Sequence, residues 1–385
     1  MMELLKSVNE RRAQFWLHQS GLSAGAARRI IELSGSAEAV LSKSPLSFSG
    51  LGLAGADSAA LVDFFSGERK RREWDKVYEA AIRGGWRFLC GDELTAAFPG
   101  IDERDRPLGC WVRGTINFPF DRPAAALVGA RQATPYGLAV AEKLADFLAR
   151  RGVIVVSGLA YGIDAAAHRA AIAGGGVTAA FLGTGPDIFY PQSNRALQNR
   201  DIPQSGLVCS EYPWGTGPQR GHFPRRNRLI AGCSSVVVVI EGDEDSGALI
   251  TARWAAVMGK DVFAVPGSIF SRMSRGPNRL IKEGAVPLTD FENLINEASG
   301  LEAAVVLRSP AQSSSEAPRA ARLTAAASAL LGQLRPDGTG LDVLLAGTGL
   351  AIEEAMPALL ELEMKGLVRS GPGGYVPVDD GRARG

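Results

Sequence analysis

The sequence predicts an α/β protein built on a doubly wound parallel sheet, with a small helical domain before it and a three-helix, hairpin-ended domain after it. Three observations carry this. From Ala124 onward, short β-branched runs alternate with amphipathic helices, the order that gives a parallel sheet with helices on both faces. At 385 residues the chain exceeds one ordinary domain. A Ser, Pro and Ala-rich stretch, SPAQSSSEAPRAA at 309–321, has the composition of a flexible linker.

Residues 1–75 read as a small all-α module: NERRAQFWLHQSG, SAGAARRIIELSG and SAEAVLSK each open on Ser or Asn, and two of them close on Gly. GLSAGAARRIIEL loosely resembles a helix-hairpin-helix, but its Gly spacing is poor and a plain helical bundle is the better reading. Residues 76–300 form the sheet domain. VYEAAIRGGWRFLC and WVRGTINFPF supply a leading helix and an edge strand; AAALVGAR, GVIVVSGLA, GVTAAFLGTG, GLVCSEYP, SSVVVVIEG and DVFAVPGS supply strands. Their apolar runs lack alternation, which marks strands buried on both faces. Residues 301–322 form the linker. Residues 323–385 read as three helices and a hairpin, the order of a winged helix, although a three-helix cap reads similarly.

The formal charge of +1 hides segregation: Gly217–Cys233 and Val262–Lys282 hold arginines and no acid, against an acidic run at Glu241, Asp243, Glu244 and Asp245. Four separated cysteines and three histidines form no metal or disulfide framework, so no metal is expected. The N-terminus lacks an apolar h-region and no apolar run reaches about eighteen residues, so no membrane is expected and the cytoplasm is the expected location.

Each predicted strand ends in small or special residues: Gly129-Ala130-Arg131, Ser157-Gly158, Gly183-Thr184-Gly185, Ser210-Glu211, Glu241-Gly242 and Pro266-Gly267. In a parallel sheet these ends share one edge with helix N-termini, which attract anions. Glycine lets a phosphate approach the backbone, although it also simply makes tight turns. Neither a phosphate-binding G-x-x-x-x-G-K-[ST] loop nor a dinucleotide G-x-G-x-x-G fingerprint is present. Arg131, then Arg225, Arg226 and Arg228 around a helix expected to begin near Asn227, then Arg272 and Arg275, all map to this edge. Tyr161, Phe189, Tyr190, Tyr212 and Trp214 fall in the same loops. Guanidinium forks and aromatic faces suit an extended nucleic acid strand better than one small anion. At least one of Arg226 and Arg228 is expected to be solvated or paired inside the fold with Glu211 or Glu241. Asp164 and His168, spaced i, i+4, share a helix face and read as structural. Ser246 and Thr251 read as helix-capping hydroxyls near an anion site rather than nucleophiles.

Taken in order, VGARQATPYG, VVSGLAYGIDAAAHRAAIAGGG, FLGTGPDIFYPQSNRAL, LVCSEYP, HFPRRNRLIAG, VVVVIEGDEDSGALITA and VFAVPGSIFSRMSRGPNRLIKEGA resemble the DNA-processing protein A family (DprA, also called Smf), over roughly residues 105–290. The resemblance implies an extended Rossmann-like domain that binds and protects single-stranded DNA and loads the recombinase RecA during natural transformation. It also implies a homodimer with no cofactor and no catalytic activity, a sterile-alpha-motif-like N-terminal module and a winged-helix C-terminal one. Strand contacts are then expected at Arg131; at Ser157, Gly158, Tyr161 and Gly162; at Gln192, Asn194 and Arg195; and at Arg225, Arg226, Asn227 and Arg228. Further contacts along the same edge are expected from Ser246, Gly247 and Thr251, and from Gly267, Arg275, Gly276 and Asn278. Two positions depart from the family: Gln192 stands where Lys is usual, with Arg195 as a possible replacement for its charge, and Ala130 stands where Thr or Ser is usual.

An enzyme is the rival reading, since the sheet is similar to that of the nucleoside-monophosphate phosphoribohydrolases. Their PGGxGTxxE loop would fall at VPGSIFSRMSRGPN, which lacks the second Gly and the Glu.

Overall fold

The computed structural model describes residues 2–301, 324–334, 339–364, 367–371 and 374–377, which divide into two compact units at Ser309 and Pro310. The Ser, Pro and Ala-rich segment 309–321 lies outside the described residues.

The first unit opens with helices α1 (Met2–Gln19), α2 (Ala24–Ser34), α3 (Ala37–Val40), α4 (Gly55–Ser66) and α5 (Glu68–Arg83). Local chemistry sets their ends: Ser23 and Ser36 cap α2 and α3, accepting from Ala26 N and Ala39 N, and Gly35 closes α2 at φ 86°. Helix α5 runs without a break through residue 75. Phe15 of α1 packs edge-on against Phe88 and Trp111, so the helices share a core with the sheet edge.

The strands are β1 (Arg87–Cys90), β2 (Gly109–Gly114), β3 (Ala124–Val128), β4 (Ile154–Ser157), β5 (Thr178–Phe181), β6 (Gly206–Ser210), β7 (Val236–Val239), β8 (Asp261–Ala264) and β9 (Val286–Pro287). They make one nine-stranded sheet in the order β1-β2-β6-β5-β4-β3-β7-β8-β9. The pairs from β6 through β9 are parallel, while β2 runs antiparallel to both β1 and β6. The expected edge strand is therefore an antiparallel pair. Between the strands lie α6 (Asp92–Ala97), α7 (Pro135–Arg150), α8 (Ile163–Ala173), α9 (Ile202–Ser205), α10 (His222–Cys233), α11 (Gly247–Val257), α12 (Arg275–Lys282) and α13 (Phe291–Glu297).

Alternation along each central strand divides the core into two layers. Ala124, Ala126 and Val128 join Val237 and Val239 against Leu229 of α10 and Leu249 of α11, whereas Ala125, Leu127, Val236 and Val238 meet Leu144 and Leu148 of α7. Both faces being covered, the strands contain almost nothing polar. The chain leaves β3 toward β4 on one side and returns to pair β7 on its other side. That reversal opens a crevice at the carboxyl ends of β3 and β7, where ligands of such sheets bind.

The second unit has helices α14 (Ala325–Leu331), α15 (Leu341–Thr348) and α16 (Ile352–Met364), followed by an antiparallel hairpin of β10 (Val368–Gly371) and β11 (Gly374–Pro377). Leu330, Leu344, Leu359, Leu362 and Val368 form its core, and Thr339 bridges to Tyr375. This is a winged helix. Among the described residues no single helix is long and apolar enough to cross a membrane.

Candidate nucleic-acid interface

The groove begins where β3 ends. Its backbone turns at Gly129, where a Cβ would lie 2.6 Å from Ile163, and passes through exposed Arg131 into Thr134, the N-cap of α7. Glu241, at the end of β7, accepts from Thr134 N at 2.8 Å and from Thr134 Oγ1, bonding β7 to the start of α7. Gly137 is required here, because a Cβ would come 2.3 Å from the Glu241 carboxyl carbon. Among the described residues Glu241 is thus engaged by Thr134 and not by an arginine.

Arg131 lies over the ring of Phe223, its guanidinium carbon 5.0 Å from the centroid, and Phe223 in turn sits 5.5 Å from Tyr190. Gly183 makes room for that ring: a Cβ there would meet it at 2.7 Å. On one side of Arg131 a cleft of about 680 Å³ descends between α10 and the N-terminus of α11; on the other a hollow of about 810 Å³ is lined by Gln132, Tyr161, Gly162 and Arg272. Arg131 borders both, so they form a continuous surface. Its exposed cations include Arg131, Arg220 and Arg272, and its acids include Asp245 at the rim.

Helix α10 starts at His222, five residues before the expected start near Asn227. The arginines therefore lie inside its first two turns, where helical phase sets their directions. Arg225 points outward, with its side chain about half exposed and 3.9 Å from Glu211. Arg228 turns inward at 2% exposure and forms a two-pronged pair with Glu211, both contacts at 2.6 Å. Burial pulls its pKa down, and the Glu211 pairing more than offsets this, leaving it raised. Arg228 thus joins the fold instead of the groove. Arg226 is also buried, at 4% exposure; its Nη1 donates to the carbonyls of Gly158, at 2.7 Å, and Phe181, and its Nε to Asn227 Oδ1. It fills the space under Gly158, where a Cβ would strike the guanidinium at 2.4 Å. Burial lowers the Arg226 pKa, partly opposed by Asp164.

With this geometry in place, the comparisons are informative. Residues 96–299, more than half the chain, match the family described as DNA recombination-mediator protein A, and residues 314–374 match the DprA winged helix domain. The chain belongs to the DNA recombination-mediator protein A family. A DprA homologue of Mycobacterium tuberculosis is 43% identical over 240 residues, 58% of this chain and 61% of that protein, so the match spans about three fifths of that relative's length. Protein Smf of Escherichia coli is 38% identical over 252 residues, 65% of this chain and 67% of that protein. The X-ray structure of DNA processing protein A from Streptococcus pneumoniae superposes with a TM-score of 0.65 at 32% identity, covering 75% of this chain and 98% of that one.

Several other expected DprA-family contact residues make bonds or close contacts inside the fold. Ser157 is buried and donates to Leu127 O at 2.6 Å. Asn194, at 2% exposure, donates to Leu159 O and Ala160 O and accepts from Arg169, shaping the turn from below. Asn278 bonds Gly267 in both directions, through Gly267 N and Gly267 O. Gly276 is buried, with a would-be Cβ 2.6 Å from Gly242 O. Gly162 opens α8 at φ 71°, and a Cβ there would lie 2.3 Å from Ala130 O. Asp164 accepts from Gly158 N and Ala160 N, and His168 meets Thr178 at 2.6 Å, the structural roles expected of them.

Others do face outward. Tyr161, Gln192, Arg195 and Arg275 are exposed, and Arg195 lies over the Phe189 ring at 4.8 Å. Ser246 caps α11, Gly247 is exposed beside it, and Asn227 donates to Gly247 O at 3.0 Å. Two of the expected stacking aromatics are taken up in packing: Tyr212 donates to His222 O at 2.8 Å, and Trp214 packs edge-on against Trp86 and Trp111. Sequence reasoning missed Phe223 and Arg220. The available signal for Phe223 was Gly183, whose missing side chain leaves the slot that the ring occupies.

Proposed function

We propose that this chain is a single-stranded DNA-binding protein that protects incoming strands and hands them to the recombinase RecA during natural transformation, acting as a homodimer, without cofactor and without catalysis. The observation that carries this reading is Arg131 stacked on Phe223 at the centre of a continuous groove, with Tyr190 beside it. A guanidinium held over an aromatic ring next to a second ring offers one phosphate partner and stacking faces that do not depend on base identity. Family membership supports an activity on DNA. Burial pushes the thiols of Cys90 and the half-buried Cys233 up to about 12, which keeps these two from acting as thiolate nucleophiles.

A gel shift with single-stranded and duplex DNA at two salt concentrations tests the reading. Binding should favour the single strand, ignore base sequence and weaken steeply with salt. Arg131→Ala with Arg220→Ala, two exposed cations of the groove, should abolish it with an unchanged circular dichroism spectrum. Retained affinity in that folded variant would remove the groove from the mechanism. RecA loading is tested separately, by strand exchange on DNA coated with a single-strand binding protein; failure of the chain to accelerate it would restrict the function to binding.

A further inference from the structure

The cleft beside Arg131 has a floor whose polar groups differ from those along its rim. Thr251 lies there at 1% exposure, and its Oγ1 has no hydrogen-bond partner among the described residues. A helical threonine ordinarily returns its hydroxyl proton to the carbonyl four residues back. Here that carbonyl, Gly247 O, already accepts from Asn227 Nδ2. Beside Thr251 stands the N-terminus of α11, an eleven-residue helix with no acid in its first turn, its nearest carboxylate in the cleft being Asp245 just before the N-cap, which is exposed at the rim. Arg226 reaches the same cleft with Nη1 and Nε already bonded to the protein, and no partner for Nη2 is found among the described residues. Asp164 also lines the floor, but it accepts from Gly158 N and Ala160 N and lies close enough to Arg226 for the two charges to offset.

The shape matters as much as the donors. Thr251, Arg226 and Asn227 are buried, whereas Pro218, Gln219, Arg220 and Gly247 at the mouth are exposed. A phosphodiester inside a continuing strand would have to carry both flanking nucleotides down past that mouth. A terminal phosphate carries only one. The volume of about 680 Å³ suits a single small ligand, and Phe223 and Tyr190 at the entrance offer a base its stacking face.

We propose that this cleft is a site for one terminal phosphate monoester of a nucleotide, held by Thr251 Oγ1, the α11 N-terminus and Arg226, and occupied by the phosphorylated end of a DNA strand or by a free nucleoside monophosphate. The strand-end form rests on the single-strand reading above; the mononucleotide form does not.

The test uses the full chain with twelve-nucleotide oligothymidylates carrying a 5′-phosphate, a 3′-phosphate or hydroxyls at both ends, read by fluorescence anisotropy, and with dTMP, read by calorimetry. A terminal phosphate at one end should tighten binding by roughly tenfold, the worth of one charged hydrogen-bonded contact. Thr251→Val should bring the ratio of phosphorylated to unphosphorylated affinities close to one, and Thr251→Ser should restore it. Gly247→Asp is the second variant: Gly247 has open space for a side chain, and an acid at a helix N-terminus favours the fold while repelling an anion. It should abolish the same ratio. Saturable dTMP binding lost in both Thr251→Val and Gly247→Asp, without an end preference, would assign the site to the free nucleotide. Equal affinities for all three oligonucleotides together with no dTMP binding would overturn the proposal while leaving strand binding intact. If no oligonucleotide binds at all, dTMP still reports on the cleft alone.

Discussion

The Arg131 guanidinium rests 5.0 Å above the Phe223 ring, joining the end of β3 to the first turn of α10 across the crevice where the sheet reverses its strand order. Phe223→Ala should therefore weaken single-strand binding by about 1–3 kcal/mol through lost stacking. Arg131→Ala should lower the slope of log affinity against log salt by about one unit. Arg131→Lys should recover the salt slope but not the full affinity, because an ammonium does not stack on the ring as a planar fork does. Anisotropy titrations at four salt concentrations measure all three.

Gly183 governs the same ring from below. The Gly183→Ala methyl would press on Phe223 at 2.7 Å, and it meets ring atoms, which can shift. Affinity should fall toward that of Phe223→Ala. The double variant Gly183→Ala/Phe223→Ala should bind no more weakly than Phe223→Ala alone, since both changes act through one ring.

Arg228 and Glu211 predict a stability effect instead of a binding effect. Both are buried and doubly bonded to one another, and removing one partner strands a charge, which costs about 3–5 kcal/mol. Arg228→Ala should shift the urea midpoint sharply downward. Replacing both together, as Arg228→Met with Glu211→Leu, should recover much of that loss.

Acid should destabilise the first unit through its buried histidines. Thr178 Oγ1 donates to Val155 O, so His168 Nδ1 carries the proton that it shares with Thr178, and His168 Nε2 has no partner among the described residues. Burial lowers the His168 pKa from 6.5 to about 3, and it lowers that of His18, whose ring bonds Glu211 O. A lowered histidine pKa means that the unfolded chain binds more protons. Stability from His168 is therefore complete above about pH 6.5 and falls by up to about 1.4 kcal/mol per pH unit as the pH drops from 6.5 toward 3. Urea unfolding at pH 7.5, 6 and 5 measures it, and His168→Gln should flatten the slope.

Much of the architecture was legible in the residues. Unbroken runs such as VVVV at 236–239 and AAALV at 124–128, set between helical patterns, read as strands covered on both faces, and the Gly-rich turns after them place a ligand edge. The motif order along 105–290 pointed to the family, and the strand and loop pattern had already placed Arg131 and Tyr190 at that edge. What that order left open was direction. Whether Arg225, Arg226 or Arg228 faces solvent depends on where α10 begins, because each residue turns the side chain by about 100°. The helix begins at His222, sending Arg228 onto Glu211 and Arg226 under Gly158 while Arg225 stays outside. Phe223 needed the slot above Gly183, and the free hydroxyl of Thr251 needed Asn227 to occupy Gly247 O, both contacts between segments remote in sequence. Residue type and local pattern determined the elements and the edge at which a ligand is expected. Tertiary packing alone decided which cations and rings line that edge and which hold it in place, since a charged side chain turns inward only where a distant carboxylate or carbonyl waits to receive it.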